Sequence, residues 1–174
     1  MTHAPVRIEQ PAYTHSLRRH FADLRDGTHG GAVTRRDKEE LFFEAVDLLR
    51  PYALQVLKEM NEAMLLGQGI VKDSGTAQTL DGPLRSWTLS WEEQRSLALP
   101  PVSLHAYYGR GFHHPHLRGG TVREWPMNVF TAQHAAEEVP LLRSIASADL
   151  HNLVFMADFT IVPACAPGTT YPTR

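Results

Sequence analysis

A chain of 174 residues, 43% hydrophobic and 21% charged, has the size and balance of one soluble globular domain with a core of its own. A net charge of −2, with its basic residues scattered, excludes the electrostatic footprint of a nucleic-acid binder. A single cysteine, Cys165, excludes an internal disulfide and a cysteine-rich zinc site.

Residues 1–14 carry Pro5 and Pro11 without any period and read as an N-terminal arm with no signal-peptide core. Tyr13 to Leu24 predicts a short helix, stopped by Asp26-Gly27. The stretch 27–33, GTHGGAV, is a glycine-rich loop without the spacing of a phosphate-binding loop. Thr34 is placed to cap the next helix, with Asp37 three residues on. In that helix Phe42, Leu49, Val56 and Ala63 recur every seven residues, with Ala45, Tyr52 and Met60 between them. Such a stripe seals a core or an oligomer interface. Pro51 is expected to kink or split it, and Gly67 and Gly69 to end it.

Past Gly67 the period changes. Ile70 to Lys72 predicts a short strand before the turn-rich DSGTAQTLDGP. From Leu84 to Trp91 the residues alternate, with Arg85, Trp87, Leu89 and Trp91 on one face. Residues 91–95 read as a helical turn. Pro100-Pro101 opens a strand from Val102 to Tyr108, with Val102, Leu104, Ala106 and Tyr108 on one face and Ser103, His105 and Tyr107 on the other. Residues 109–120 read as loop, MNVFTAQHAAEE after Pro126 as helix, and PLLRSIASADL from Pro140 as a second helical piece. Leu153 to Val162 is expected to be an apolar strand interrupted by Asp158, and 166–174 a tail. Helices first and strands after them predict an α+β fold: N-terminal helices packed on a mainly antiparallel sheet, one domain over 15–165.

Chemistry concentrates in one segment. Of the ten histidines, six lie between His105 and His151, and none between Gly30 and Leu104. In extended backbone His114 and His116 face the same way, and Pro115 biases His114 toward that conformation. With His105 eleven residues before His116, three imidazoles are candidates for a metal site. His134 and Glu138, four apart on a predicted helix, are candidate further ligands, with Glu137 also in reach. Glu124 with two histidines would make the facial set of non-haem iron enzymes. His151 beside Asp149 is a candidate outer pair.

A metal-free reading uses the same region. His105, Tyr107 and either Glu124 or Asp158 would move protons at neutral pH. A carboxylate in an apolar strand, as Asp158 is expected to be, is costly unless it is paired or functional. Arg118 and Arg123 are candidates to hold an anionic substrate, and Trp125 with Tyr107, Tyr108 and Phe112 to wall its pocket. No Ser-His-Asp signature, nucleotide fingerprint or calcium loop occurs.

The sequence therefore points to a small-molecule enzyme using a divalent metal, iron or zinc, at His105, His114 and His116. The alternatives are a non-catalytic ligand- or haem-binding assembly protein and a metal-free acid–base enzyme of isomerase type. A small-molecule partner, homo-oligomerisation through the 36–66 stripe, no nucleic acid, no membrane and a cytoplasmic location complete the expectation.

Overall fold

The computed structural model of the chain describes residues 12–170. The expected arm lies outside the described residues except for its last three, which begin α1 (Ala12–Asp26). A tight turn leads to α2 (Arg35–Leu65). Then come β1 (Ile70–Thr79), β2 (Gly82–Ser90), a short α3 (Glu92–Ser96), β3 (Val102–Tyr107), β4 (His116–Gly119) and a two-residue β5 (Trp125–Pro126). Helices α4 (Ala132–Glu137) and α5 (Val139–Met156) follow, with two 3-10 turns behind them. The strands form one antiparallel meander in the order β1-β2-β3-β4-β5. The fold is α+β, with helices packed on an antiparallel sheet.

Helix α2 starts as its sequence dictates. The Thr34 side chain accepts a hydrogen bond from the Asp37 amide at 3.1 Å, and Asp37 adds its charge to the positive end of the helix dipole. The helix is not split at Pro51. That proline faces solvent, where water can serve the carbonyl it leaves unbonded. The helix ends with Leu66 in the left-handed region (φ 54°) and Gly67 at φ 75°.

The seven-residue stripe holds for Phe42, Leu49 and Val56, all buried, but Ala63 is exposed. A straight helix drifts about 20° per heptad against a strict repeat. The buried line accordingly moves to Ala53, Leu57, Asn61 and Leu65. This stripe is spent on the core, where α2 and α5 cover one face of the sheet against Trp87, Leu89, Val102, Leu104, Ala106 and Leu117.

Two expectations are corrected. Strand β1 continues through the supposed turn to Thr79, with an irregularity between Asp73 and Thr76 where Gly75 has φ 69°. The supposed strand 153–162 is the end of α5 followed by a 3-10 turn. Asp158 is exposed there and caps the turn by accepting the Thr160 amide at 2.9 Å. A short unbroken apolar run carries no period that separates helix from strand. The indole N–H of Trp91 donates to the Ile161 carbonyl at 2.6 Å and ties this ending to β2.

On the core side of β2, Arg85 is buried and its charge is answered on two sides. Its Nε and Nη2 donate to Asp73 at 3.0 and 2.7 Å, and its Nη1 to Asp47 of α2 at 2.8 Å. The guanidinium holds Asp73 far below the usual carboxylate range. Replacing Asp73 by Asn leaves a buried cation short of its fork, and is expected to cost about 2 kcal/mol in urea unfolding. The unfolded Asp73 takes up a proton near pH 4 and the folded one only well below it. Wild-type stability from this pair is thus constant above about pH 4 and is lost as pH falls further, a loss the Asn variant should not show.

Candidate functional site

The sheet face away from α2 and α5 carries the polar side chains of β2, β3 and β4. Register places Ser86 beside His105, His105 beside Arg118, and Tyr107 beside His116. Ser86 Oγ and His105 Nδ1 are 2.7 Å apart. The Arg118 guanidinium lies 4.7 Å from the centre of the Tyr107 ring, a cation–π distance. Burial, then the nearby carboxylate of Glu124, pushes the Tyr107 hydroxyl above its ordinary pKa. Glu124 also favours the protonated form of His116, though burial outweighs it and lowers that group. Glu124 and Arg123 are themselves exposed.

The turn between β4 and β5 is held from the far side by Asp149 of α5, which is 0% exposed. Its carboxylate accepts from the amides of Ser103 (2.8 Å), Gly120 (3.2 Å) and Thr121 (2.6 Å), and from the Thr121 hydroxyl (2.5 Å). Side chains at Gly119 or Gly120 would meet that carboxylate at 3.3 and 3.2 Å. Asp149, not Asp158, is the buried carboxylate of this region, and its part is architectural. His151, expected beside it as an outer pair, is an exposed residue of α5.

The segment 108–116 is anchored by the first turn of α2. Arg35 donates to the carbonyls of Tyr108 (2.5 Å), Gly109 (3.0 Å) and Phe112 (3.3 Å), and stacks 3.5 Å from the Tyr108 ring centre. Lys38 donates to the carbonyls of Gly27 (3.0 Å) and His113 (3.5 Å), and the Tyr108 hydroxyl to His113 O (3.2 Å). So held, the backbone leaves His113 exposed and turns His114 inward.

Two histidines from the first third of the chain join it. The His114 ring lies 4.1 Å from that of His20 on α1 and 4.5 Å from that of His116. Phe112 closes on His116 at 4.4 Å. His29, 0% exposed, is fixed in the 27–32 turn by paired backbone bonds with Ala32 and lies 4.8 Å from Phe130. A side chain at Gly30 (φ 55°) would strike that phenyl ring at 2.4 Å, so glycine is required there.

Burial, then neighbouring histidines, lowers His114 to about 3. Burial likewise lowers His29 to about 4, against the pull of Asp23. The Nδ1 atoms of His20, His114 and His116 and both ring nitrogens of His29 are buried without a hydrogen-bond partner. Nothing in the sequence around His20 or His29 announces this convergence. Among the described residues, no three His, Cys, Asp or Glu side chains are grouped to hold a metal ion as they stand.

The remaining candidates fall elsewhere. Trp125 and Glu138 line a cavity of about 540 Å³ with Tyr13 and Leu17 of α1, Pro126 of β5 and Leu141 of α5. Glu138, at the junction of α4 and α5, is buried, and that burial raises its pKa to about 7 although Arg19 opposes the shift. His134 accepts weakly from the Phe130 amide at 3.4 Å, and burial with the nearby Arg19 lowers its pKa. The site residues expected from sequence are thus divided. His114 and His116 meet, Tyr107 and Glu124 flank His116, Arg118 and Arg123 act on Tyr107, and His105 is paired along the sheet to Ser86. His134 and Glu138 keep company with Arg19.

No family model matches the chain, and neither a curated protein nor a solved structure matches it.

Asp149→Ala strips three amides of their acceptor at once. It is expected to destabilise the fold by about 3 kcal/mol in chemical unfolding. Asp158→Ala, which loses one exposed cap, should stay within about 1 kcal/mol of wild type.

Proposed function

We propose that the protein binds a small, largely apolar molecule in the cavity between α1, β5 and the α4–α5 junction, and that Glu138 exchanges a proton with it. The observation that carries this reading is a buried carboxyl lining an apolar cavity, with a pKa of about 7. A general acid or base works best when its pKa lies near the working pH, and burial among apolar groups is the usual means of bringing a glutamate there. The cavity volume falls within the range of roughly 300–1,000 Å³ typical of small-molecule sites.

Arg19 refines the ligand class. Its Nε is buried without a partner, and it stands near enough to Glu138 to act on its charge. A guanidinium in that state suits an anionic group on the ligand, so a small hydrophobic acid is the class proposed. The reading is the metal-free acid–base one, with Glu138 in the part that sequence gave to Tyr107 and Asp158. Self-association stays in the proposal with a different support: Tyr13, Leu17, Phe21 and Leu24 form an exposed apolar line on α1. So does a cytoplasmic location, supported by the single cysteine; no helix among the described residues is long and apolar enough to cross a membrane.

A panel of small aromatic and branched carboxylic acids, titrated against Trp125 fluorescence between pH 6 and 9, tests the reading. Glu138 is protonated below about 7 and an anion binds best beside the neutral form. Affinity is expected to be level below that pH and to fall by up to roughly tenfold per pH unit above it. Glu138→Gln should bind with a flat profile, and Leu141→Trp, which fills the cavity, should not bind. Retained binding in Leu141→Trp, or an unaltered profile in Glu138→Gln, would refute it.

A further inference from the structure

We propose that His20, His114 and His116 form a site for one divalent cation of borderline softness, such as zinc or cobalt, assembled from α1 and the segment that enters β4. This set differs from the one the sequence suggests. It takes in His20, which lies 94 residues before His114, and leaves out His105, whose Nδ1 is occupied by Ser86.

Three observations carry it. The rings are in mutual contact, His114 lying between the other two at 4.1 and 4.5 Å. Each presents a buried Nδ1 with no hydrogen-bond partner. Buried polar atoms are nearly always satisfied in folded proteins, and orphans grouped in one place call for an ion or water to serve them. Their backbones come from anchored elements: Arg35, Lys38 and Tyr108 fix the residues leading to His114, and β-pairing fixes His116.

The rings as they stand are not grouped to hold an ion. Turning them costs little, because the imidazole χ2 torsion is broad and none of the three Nδ1 atoms gives up a hydrogen bond by turning. Imidazole donors select zinc, cobalt, nickel or copper over magnesium or calcium. Three protein ligands would leave a coordination position open.

The test uses the full chain, stripped with chelator and titrated with Co²⁺ and then Zn²⁺. Saturation at one ion per chain is expected, with cobalt absorption bands that zinc abolishes. His114→Ala should remove the bands, and His20→Ala should weaken binding by at least roughly tenfold. His105→Ala should leave it unchanged. Long-range ¹H–¹⁵N spectra of the unaltered chain remain decisive if a variant does not fold: zinc should shift the Nδ1 signals of three imidazoles. Absence of saturable binding, or affinity in His20→Ala equal to that of the unaltered chain, overturns the assignment. So does loss of binding in His105→Ala. None of these results bears on the Glu138 cavity, whose walls include none of the three histidines.

Discussion

One guanidinium does much to decide where the histidines go. Arg35, in the first turn of α2, gathers the carbonyls of Tyr108, Gly109 and Phe112. Those carbonyls belong to irregular backbone leaving β3 and have no ladder to bond to. A long helix packed into the core is a rigid mount, so its first turn is a dependable place from which to hold a loop. Lys38, one turn on, adds the carbonyls of Gly27 and His113. The same two side chains therefore set the 27–32 turn and the 108–116 segment relative to each other. That relation brings His29 and His114 into one region of the structure.

The cluster so formed is costly in the terms that usually govern polar burial. Neutral imidazole carries one donor and one acceptor, and leaving either unmet away from water is penalised. Burial, and after it the neighbouring histidines, lowers His114 to about 3. A core histidine that serves packing alone is ordinarily bonded to a carbonyl or carboxylate. His105, paired with Ser86 across the sheet, shows how this chain satisfies a largely buried imidazole with a side-chain partner.

Periodicity made part of this legible. The alternation of β2 and β3 placed Trp87, Leu89 and Leu104 in the core and His105 and Tyr107 on the opposite face, as found. The stripe of α2 and the cap at Thr34 were equally plain. The misreadings share a physical cause. Residues 153–162 are apolar without a period, so strand and helix end look alike; Asp158, which the sequence left open between pocket and solvent, is exposed beyond the end of α5, and the buried carboxylate is Asp149 on that helix. His20 and His29 were passed over because the contacts that matter to them span most of the chain. A lone histidine beside arginines, or in a glycine-rich turn, carries no local sign of a partner about 90 residues later.

Helix α1 is where the two candidate places come together. Its buried flank offers Arg19 toward Glu138 and, one residue on, His20 toward His114. Its outer face shows Phe21 and Leu24 to solvent, while Tyr13 and Leu17 reach the cavity. Among the described residues, no other helix or strand packs extensively along it. Among the described residues its polar attachments are Asn128 donating to Ser16 O at 3.2 Å and Asp23 holding Thr28 and Gly30, with the His20 ring contact beside them. An element secured this way adds little core and draws its position from the groups it meets. Whatever occupies the cavity or the imidazole cluster therefore stabilises α1 in its place, in proportion to its affinity for the docked form.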